Sequence, residues 1–168
     1  MSHQSAPTAD ATAVREVRRR WASGVAVVLT RQDDGWRGAT VSAFAVVSLE
    51  PPTVLVCLAR DARMSIQVPE SGMFTVSILD RGHEFLAERF AGRAPLVDAG
   101  LTGVDHAPAP SGLPVLAGAL AWFDCDVSAV HDGGDHLVII GQVNHVGAGE
   151  DTGDPLLYYE GRYRSISS

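Results

Sequence analysis

The chain has 168 residues, 46% hydrophobic and 20% charged, with a formal net charge of −7, which fits one domain of about 150 residues and excludes a wholly disordered chain. At this size folding hides roughly 70% of the surface that the unfolded chain exposes. The acidic balance argues against a general nucleic-acid binder, because affinity for phosphate backbones is built from accumulated Lys and Arg. All 13 basic residues are Arg, so lysine chemistry such as a Schiff base or a P-loop is absent and an anion must be held by Arg, hydroxyls or backbone amides.

Apolar runs such as residues 53–59 and 137–140 fall short of the roughly 20 residues that cross a bilayer. No membrane association is expected. The N-terminal residues lack the charged start, apolar stretch and small-residue cleavage site of a signal peptide. A cytoplasmic protein with reduced cysteines is therefore expected.

Residues 1–11 are small and polar and predict a disordered tail, followed by a single domain over 12–168. From Thr12, a possible N-cap, Val14, Val17 and Trp21 recur at helical spacing. Arg15, Glu16, Arg18, Arg19 and Arg20 lie between them as a solvated face, Glu16 supporting Arg20 four residues on. Residues 24–30 and 36–47 predict two strands joined by a turn at Asp34 and Gly35. In the second strand Thr40, Ser42 and Phe44 share one face and Ala39, Val41 and Ala43 the other. Pro51 and Pro52 close that unit. The run 54–58, apolar on both faces, predicts a strand at the centre of the fold.

A short helix is predicted over 62–68, ended by Pro69 and Gly72, then a strand over 74–79. A second helix over 82–91 has Phe85, Leu86 and Phe90 as its apolar stripe. Residues 92–114, rich in Gly, Ala and Pro, predict a long loop with one short strand, of the kind that covers sites. Two long strands follow, over 117–130 and 137–146. In the first, Ala121, Phe123, Cys125 and Val127 point inward and Leu120 and Trp122 outward, as a wall for a second copy of the chain. A short strand pair around Leu157 and Tyr163 completes the chain. The class is mainly β: a closed antiparallel barrel with two or three peripheral helices.

No GxGxxG between a strand and a helix, P-loop, CxxC, HExxH or GxSxG is present. Cys57 and Cys125 sit in apolar strand patterns as small hydrophobes. His131, Asp132, Asp135 and His136 crowd one turn, but adjacent turn residues converge poorly on one metal, and no metal site is assigned. Hydroxyls at Thr40 and Ser42, with Arg60, Arg63 and Ser65 at the start of a helix, suit a planar phosphate-bearing ligand.

The segments GVAVVLT (24–30), GATVSAF (38–44), VSLEPPTVLVCL (47–58), GDH (134–136) and the ending PLLYYEGRY resemble, in order and spacing, the short-chain NAD(P)H:flavin oxidoreductases with their FMN-binding split barrel. The resemblance covers roughly residues 14–166. It implies a homodimer that uses NADH or NADPH to reduce FMN or FAD and hands the reduced flavin to a flavin-dependent monooxygenase. It further implies that Thr40, Val41, Ser42 and Ala43 contact the isoalloxazine or ribityl chain, and that Cys57, Leu58 and Ala59 line the flavin with backbone groups. Ser65 would reach the phosphate, as would Phe90, Ala91 and Arg93 of the FAGR stretch. His136, Tyr159 and Tyr163 would meet the nicotinamide nucleotide. Ala43 stands where the family often has Ser, and 95–103 lacks the family's Arg-Phe pair.

Hydride transfer between two stacked rings requires positioning and no enzyme nucleophile, so no catalytic side chain is assigned, in keeping with the missing motifs. Two other readings stand beside this one: a flavin-binding or electron-transfer protein of the same fold, and a binding module for a ligand other than flavin.

Overall fold

A computed structural model describes residues 8–33, 35–93, 100–149 and 153–166. In chain order the elements are α1 (Ala11–Arg18), β1 (Ser23–Gly24), β2 (Ala26–Gln32), β3 (Gly35–Val41), β4 (Phe44–Leu49), β5 (Pro52–Ala59), α2 (Met64–Ser71) and β6 (Met73–Ile78). A 3-10 turn (Arg81–His83), α3 (Glu84–Phe90), β7 (His106–Pro108), β8 (Pro114–Leu116), β9 (Ala121–Asp132), β10 (His136–Ala148), β11 (Leu157–Tyr159) and β12 (Arg162–Arg164) follow. Seven strands form one antiparallel sheet in the order β3-β2-β6-β9-β10-β5-β4. A small sheet β1-β11-β12 and the hairpin β7-β8 complete the β structure.

The predicted strand 36–47 is two strands. The chain leaves the ladder at Ser42 and Ala43, so that β3 pairs with β2 at one end of the sheet and β4 pairs with β5 at the other. The Ala43 carbonyl, inside that break, accepts the Cys57 amide at 3.0 Å. Among the described residues no ladder joins β3 to β4. The protein is thus mainly β with three short helices, but the expected closed barrel is not found: the sheet stays open between its two end strands.

The apolar run that fills the centre is β2, not β5. Ala26 and Val28 enter one hydrophobic cluster with Val54, Val56, Phe74 and Ile139. Val27 and Leu29 enter a second on the opposite face, with Leu79, Ala87, Phe90 and Leu156. Strand β5 buries Val54, Val56 and Leu58, while Leu55, Cys57 and Ala59 on its other face remain half-exposed.

Helix α1 starts one residue before Thr12. Asp10 is the cap, its carboxylate accepting the Ala13 amide at 2.8 Å, as a short acidic side chain at a helix start does well. Residues 1–7 of the predicted tail lie outside the described residues, and Asp10 and Ala11 belong to the helix. Glu16 reaches Arg19 at 3.9 Å rather than Arg20, which pairs with Glu160 at 3.1 Å. Helix α2 continues past Pro69 to Ser71, although a proline there removes one amide bond and crowds the carbonyl four residues back. On α3 the buried face is Ala87 and Phe90, and Phe85 is 64% exposed. The turn residue Asp34 and residues 94–99 of the predicted loop lie outside the described residues; the rest of that loop contains the hairpin β7-β8.

On β9, Phe123, Cys125 and Val127 face the first cluster as expected. At the 120–124 end the opposite face is not an open wall: Leu120 and Trp122 are half-buried and Asp124 is buried, its carboxylate accepting the Ser111 amide at 3.0 Å. Among the described residues no helix is long and apolar enough to cross a membrane.

Candidate functional site

The break between β3 and β4 places Ser42 and Ala43 in exposed backbone beside the β11-β12 hairpin. Two clefts meet there, sharing Ser42 and Tyr158. The smaller, of about 80 Å³, is lined by Val25, Thr40, Val41, Ser42, Ala91, Arg93, Tyr158 and Tyr163. The larger, of about 500 Å³, is bordered by Ser42, Ala43, Tyr159 and the α1 residues Arg15 and Arg18. Residues from four distant parts of the sequence therefore converge, and they include Thr40, Val41, Ser42, Ala43, Ala91, Arg93, Tyr159 and Tyr163 of the predicted set. A cleft of about 710 Å³ at the far end of the β2-β3 hairpin, around Trp36 and Glu70, involves none of them.

The Thr40 hydroxyl donates to the Ala87 carbonyl at 2.7 Å. That bond ties α3 to β3 and spends the donor, leaving the oxygen lone pairs free. Gly38, one position back on the same face, lets α3 approach: a Cβ there would lie 2.6 Å from the Phe90 ring. Phe90 is thus buried against β3 and carries Ala91 and Arg93 to the rim without itself lining the cleft. Arg93 is exposed and pairs with Glu88 at 3.6 Å. Burial works against its charge, but Tyr163, a hydrogen bond to Tyr158 and Glu88 outweigh it and raise its pKa. Burial, followed by a hydrogen bond to Glu88, also pushes the Tyr163 phenol well above its ordinary value, so it remains a neutral donor. Tyr158 and Tyr163 meet edge to face at 5.5 Å.

The Ser65 hydroxyl is turned onto its own loop. The side chain is buried and bonds to the carbonyls of Arg60 at 3.0 Å and Ala62 at 2.8 Å. The amides of Ser65, Ile66 and Gln67 are also taken, by Ala62 and Arg63 carbonyls. Arg60 is engaged as well: its Nε donates to the Gly134 carbonyl at 2.6 Å and its Nη2 pairs with Asp132 at 2.8 Å. It clamps the β9-β10 turn onto the end of β5, in a turn where Gly134 has φ +83°, a conformation glycine adopts without strain.

That clamp fixes His136, which lies opposite Ala59 in the β5-β10 register. Its Nδ1 is 2.7 Å from the Asp135 carboxylate, and this bond holds Asp135 below the usual carboxylate range. Cys57 and Ala59 lie on the outer face of β5, Leu58 on the inner. Neither His136 nor β5 residues 57–59 line the two clefts around Ser42. Tyr158, Glu88 and the cleft-lining side of α1 carry no motif of their own in the sequence beyond the Arg run ending in Trp21.

Hydroxyls, tyrosines and a guanidinium around an open cleft, on a mainly β scaffold, define a class of proteins that hold a planar ligand bearing phosphate. The family described as flavin reductase like domain matches residues 18–167, and the chain belongs to it. It is 36% identical over 162 residues to the flavin-dependent monooxygenase reductase subunit HsaB of Rhodococcus jostii, covering 96% of this chain and 81% of that one. It is 39% identical over 165 residues to the FMN reductase (NADH) RutF of Methylorubrum extorquens, covering 98% and 80%. The solved structure of the Streptomyces globisporus NADH:FAD oxidoreductase SgcE6 superposes with a TM-score of 0.86 at 32% identity, covering 100% of each chain.

Proposed function

We propose that this protein is an NAD(P)H-dependent flavin reductase that supplies reduced FMN or FAD to a separate monooxygenase. The observation that carries the reading is the convergence of Thr40, Ser42, Ala43, Ala91, Arg93, Tyr158 and Tyr163 on one cleft system in a chain of this family. The family's relatives named above are an NADH-dependent FMN reductase and a monooxygenase reductase subunit. A cytoplasmic setting, where NAD(P)H is held, belongs to the same reading.

The donor set suits a flavin. Ser42 offers a hydrogen bond to a polar ring edge or ribityl hydroxyls, and the Tyr163 oxygen, its proton directed to Glu88, can accept one. Arg93 offers a cation to phosphate, and Val25 and Val41 offer apolar surface. Bound flavin supplies the hydride acceptor and NAD(P)H the donor. The chain's own part is positional. Ser42 and the backbone of the β3-β4 break set the ring plane, Arg93 holds the phosphate end, and Arg60 fixes the turn that carries His136 for the nicotinamide nucleotide. Groups of this kind cost little to leave, which suits a protein that must release its reduced product.

Following oxidation of NADH and of NADPH with FMN, FAD and riboflavin in turn tests this reading. Turnover dependent on added flavin is expected. Flavin binding without turnover would leave a flavin carrier instead, and no response to any flavin would leave a module for another ligand.

A further inference from the structure

Helix α1 buries none of its residues, and Val14, Val17 and Trp21 are 54%, 70% and 79% exposed. Four Arg stand within residues 15–20 of a chain whose net charge is −7. Two of these are accounted for: Arg19 donates to the Glu160 carbonyl at 3.0 Å and Arg20 pairs with its carboxylate. Arg15 and Arg18 make no hydrogen bond or ion pair among the described residues, and the charge of Arg18 contributes to the lowering at Asp135. Both line the larger cleft together with Trp21.

An exposed indole face beside two unengaged guanidiniums is the chemistry that recognises a flat heteroaromatic base carrying phosphate. Bases stack on aromatic side chains, and guanidinium is the preferred partner of phosphate oxygens. The volume, about 500 Å³, is that of a small-molecule site. The two clefts are adjacent, both lined by Ser42 and Tyr158, which suits a molecule with a reactive ring in one place and a nucleotide in the other.

We propose that Arg15, Arg18 and Trp21 form a subsite for the adenosine-phosphate half of a dinucleotide. That half is shared by FAD and NAD(P)H. The proposal rests on the reductase reading and goes beyond it by assigning to α1 the discrimination between dinucleotides and mononucleotides.

Calorimetric titration of 5′-AMP into the full chain tests it, alongside Arg15→Gln/Arg18→Gln and, separately, Trp21→Leu. These side chains are exposed, so the variants fold. The parent is expected to bind AMP and each variant to bind it about tenfold or more weakly. Affinity for FAD against FMN, and KM for NADH against reduced nicotinamide mononucleotide, then identify the source. If the subsite serves flavin, only FAD weakens within the first pair; if it serves the hydride donor, only NADH weakens within the second. A parent that ignores AMP, or variants that bind it as the parent does, overturns the proposal even where NADH oxidation proceeds. A parent that oxidises neither NADH nor NADPH with any flavin overturns the reductase reading instead, whatever AMP does.

Discussion

His136 is held by its neighbour: the 2.7 Å contact between Nδ1 and Asp135 fixes the ring and leaves Nε2 as the atom available to a ligand. His136→Ala is expected to raise the KM for NAD(P)H about tenfold, equivalent to roughly 1.4 kcal/mol of lost binding, with flavin affinity little changed. Steady-state kinetics with each substrate varied checks this; an unchanged nicotinamide KM and turnover would remove His136 from the site. Cys125 yields a prediction of pH dependence. Burial, aided by Asp124 and Asp126, raises its thiol from 9.0 to about 12. The folded chain therefore keeps a proton that the unfolded chain loses first, so this contribution to stability is complete below about pH 9 and fades as pH rises toward 12. Alkaline unfolding between those values is expected to be shallower in Cys125→Ala than in the parent. Side-chain identity made the hydroxyls and tyrosines legible in the sequence. Their partners were not, because Thr40 spends its proton on Ala87, which is 47 positions away, and Ser65 turns inward onto its own loop.

The contact of α3 with β3 decides where Arg93 stands, and it depends on Gly38 and Phe90. A Cβ at position 38 would crowd the Phe90 ring at 2.6 Å and Leu29 at 2.8 Å. Gly38→Ala is expected to cost about 1–3 kcal/mol of stability, the range for overpacking a tight site. Phe90→Leu in the same chain should recover part of that loss, since adjacent substitutions of this kind do not add. Chemical unfolding of both single variants and the double variant measures the coupling, and strictly additive losses would refute it. Strands were legible where one face or both are buried by the chain itself, as for β2 and β6. The break at Ser42 and Ala43 was not, because the alternation of Thr40, Ser42 and Phe44 runs through it unchanged. What ends the strand is non-local: β4 has its partner in β5, on the other end of the sheet. The same reasoning explains why an apolar β5 resembled a central strand. Sequence shows that both faces are apolar, and only the assembled sheet shows which face the chain covers.

The uncovered face is the largest unanswered demand of the molecule. Ala45, Leu55, Ile140 and Ala129 lie side by side across β4, β5, β10 and β9, and Cys57, Val138 and His131 form the next row. All of these residues are half-buried or exposed in the single chain. An apolar row spanning four strands, with Cys57 and Val138 beside it, is costly to leave in water, and the open edge between β3 and β4 adjoins it, since the Ala43 carbonyl is bound to Cys57. A second copy packed here would cover the wall and stand against the backbone of β5 that the family resemblance assigns to flavin. The wall lies on the same outer face of the sheet as Leu120 and Trp122, farther along β9; the loop around Ser111 partly covers only the Leu120 and Trp122 end. The protein is accordingly expected to sediment as a dimer at micromolar concentration, each copy contributing about 800 Å² as stable interfaces do. Ile140→Asp places a charge in the middle of the wall without entering the buried clusters. It should shift the protein to monomer and, with the second copy gone, weaken flavin binding several-fold. A parent that sediments only as monomer, or an Ile140→Asp variant that remains dimeric, would show that the wall is covered by something other than a second copy.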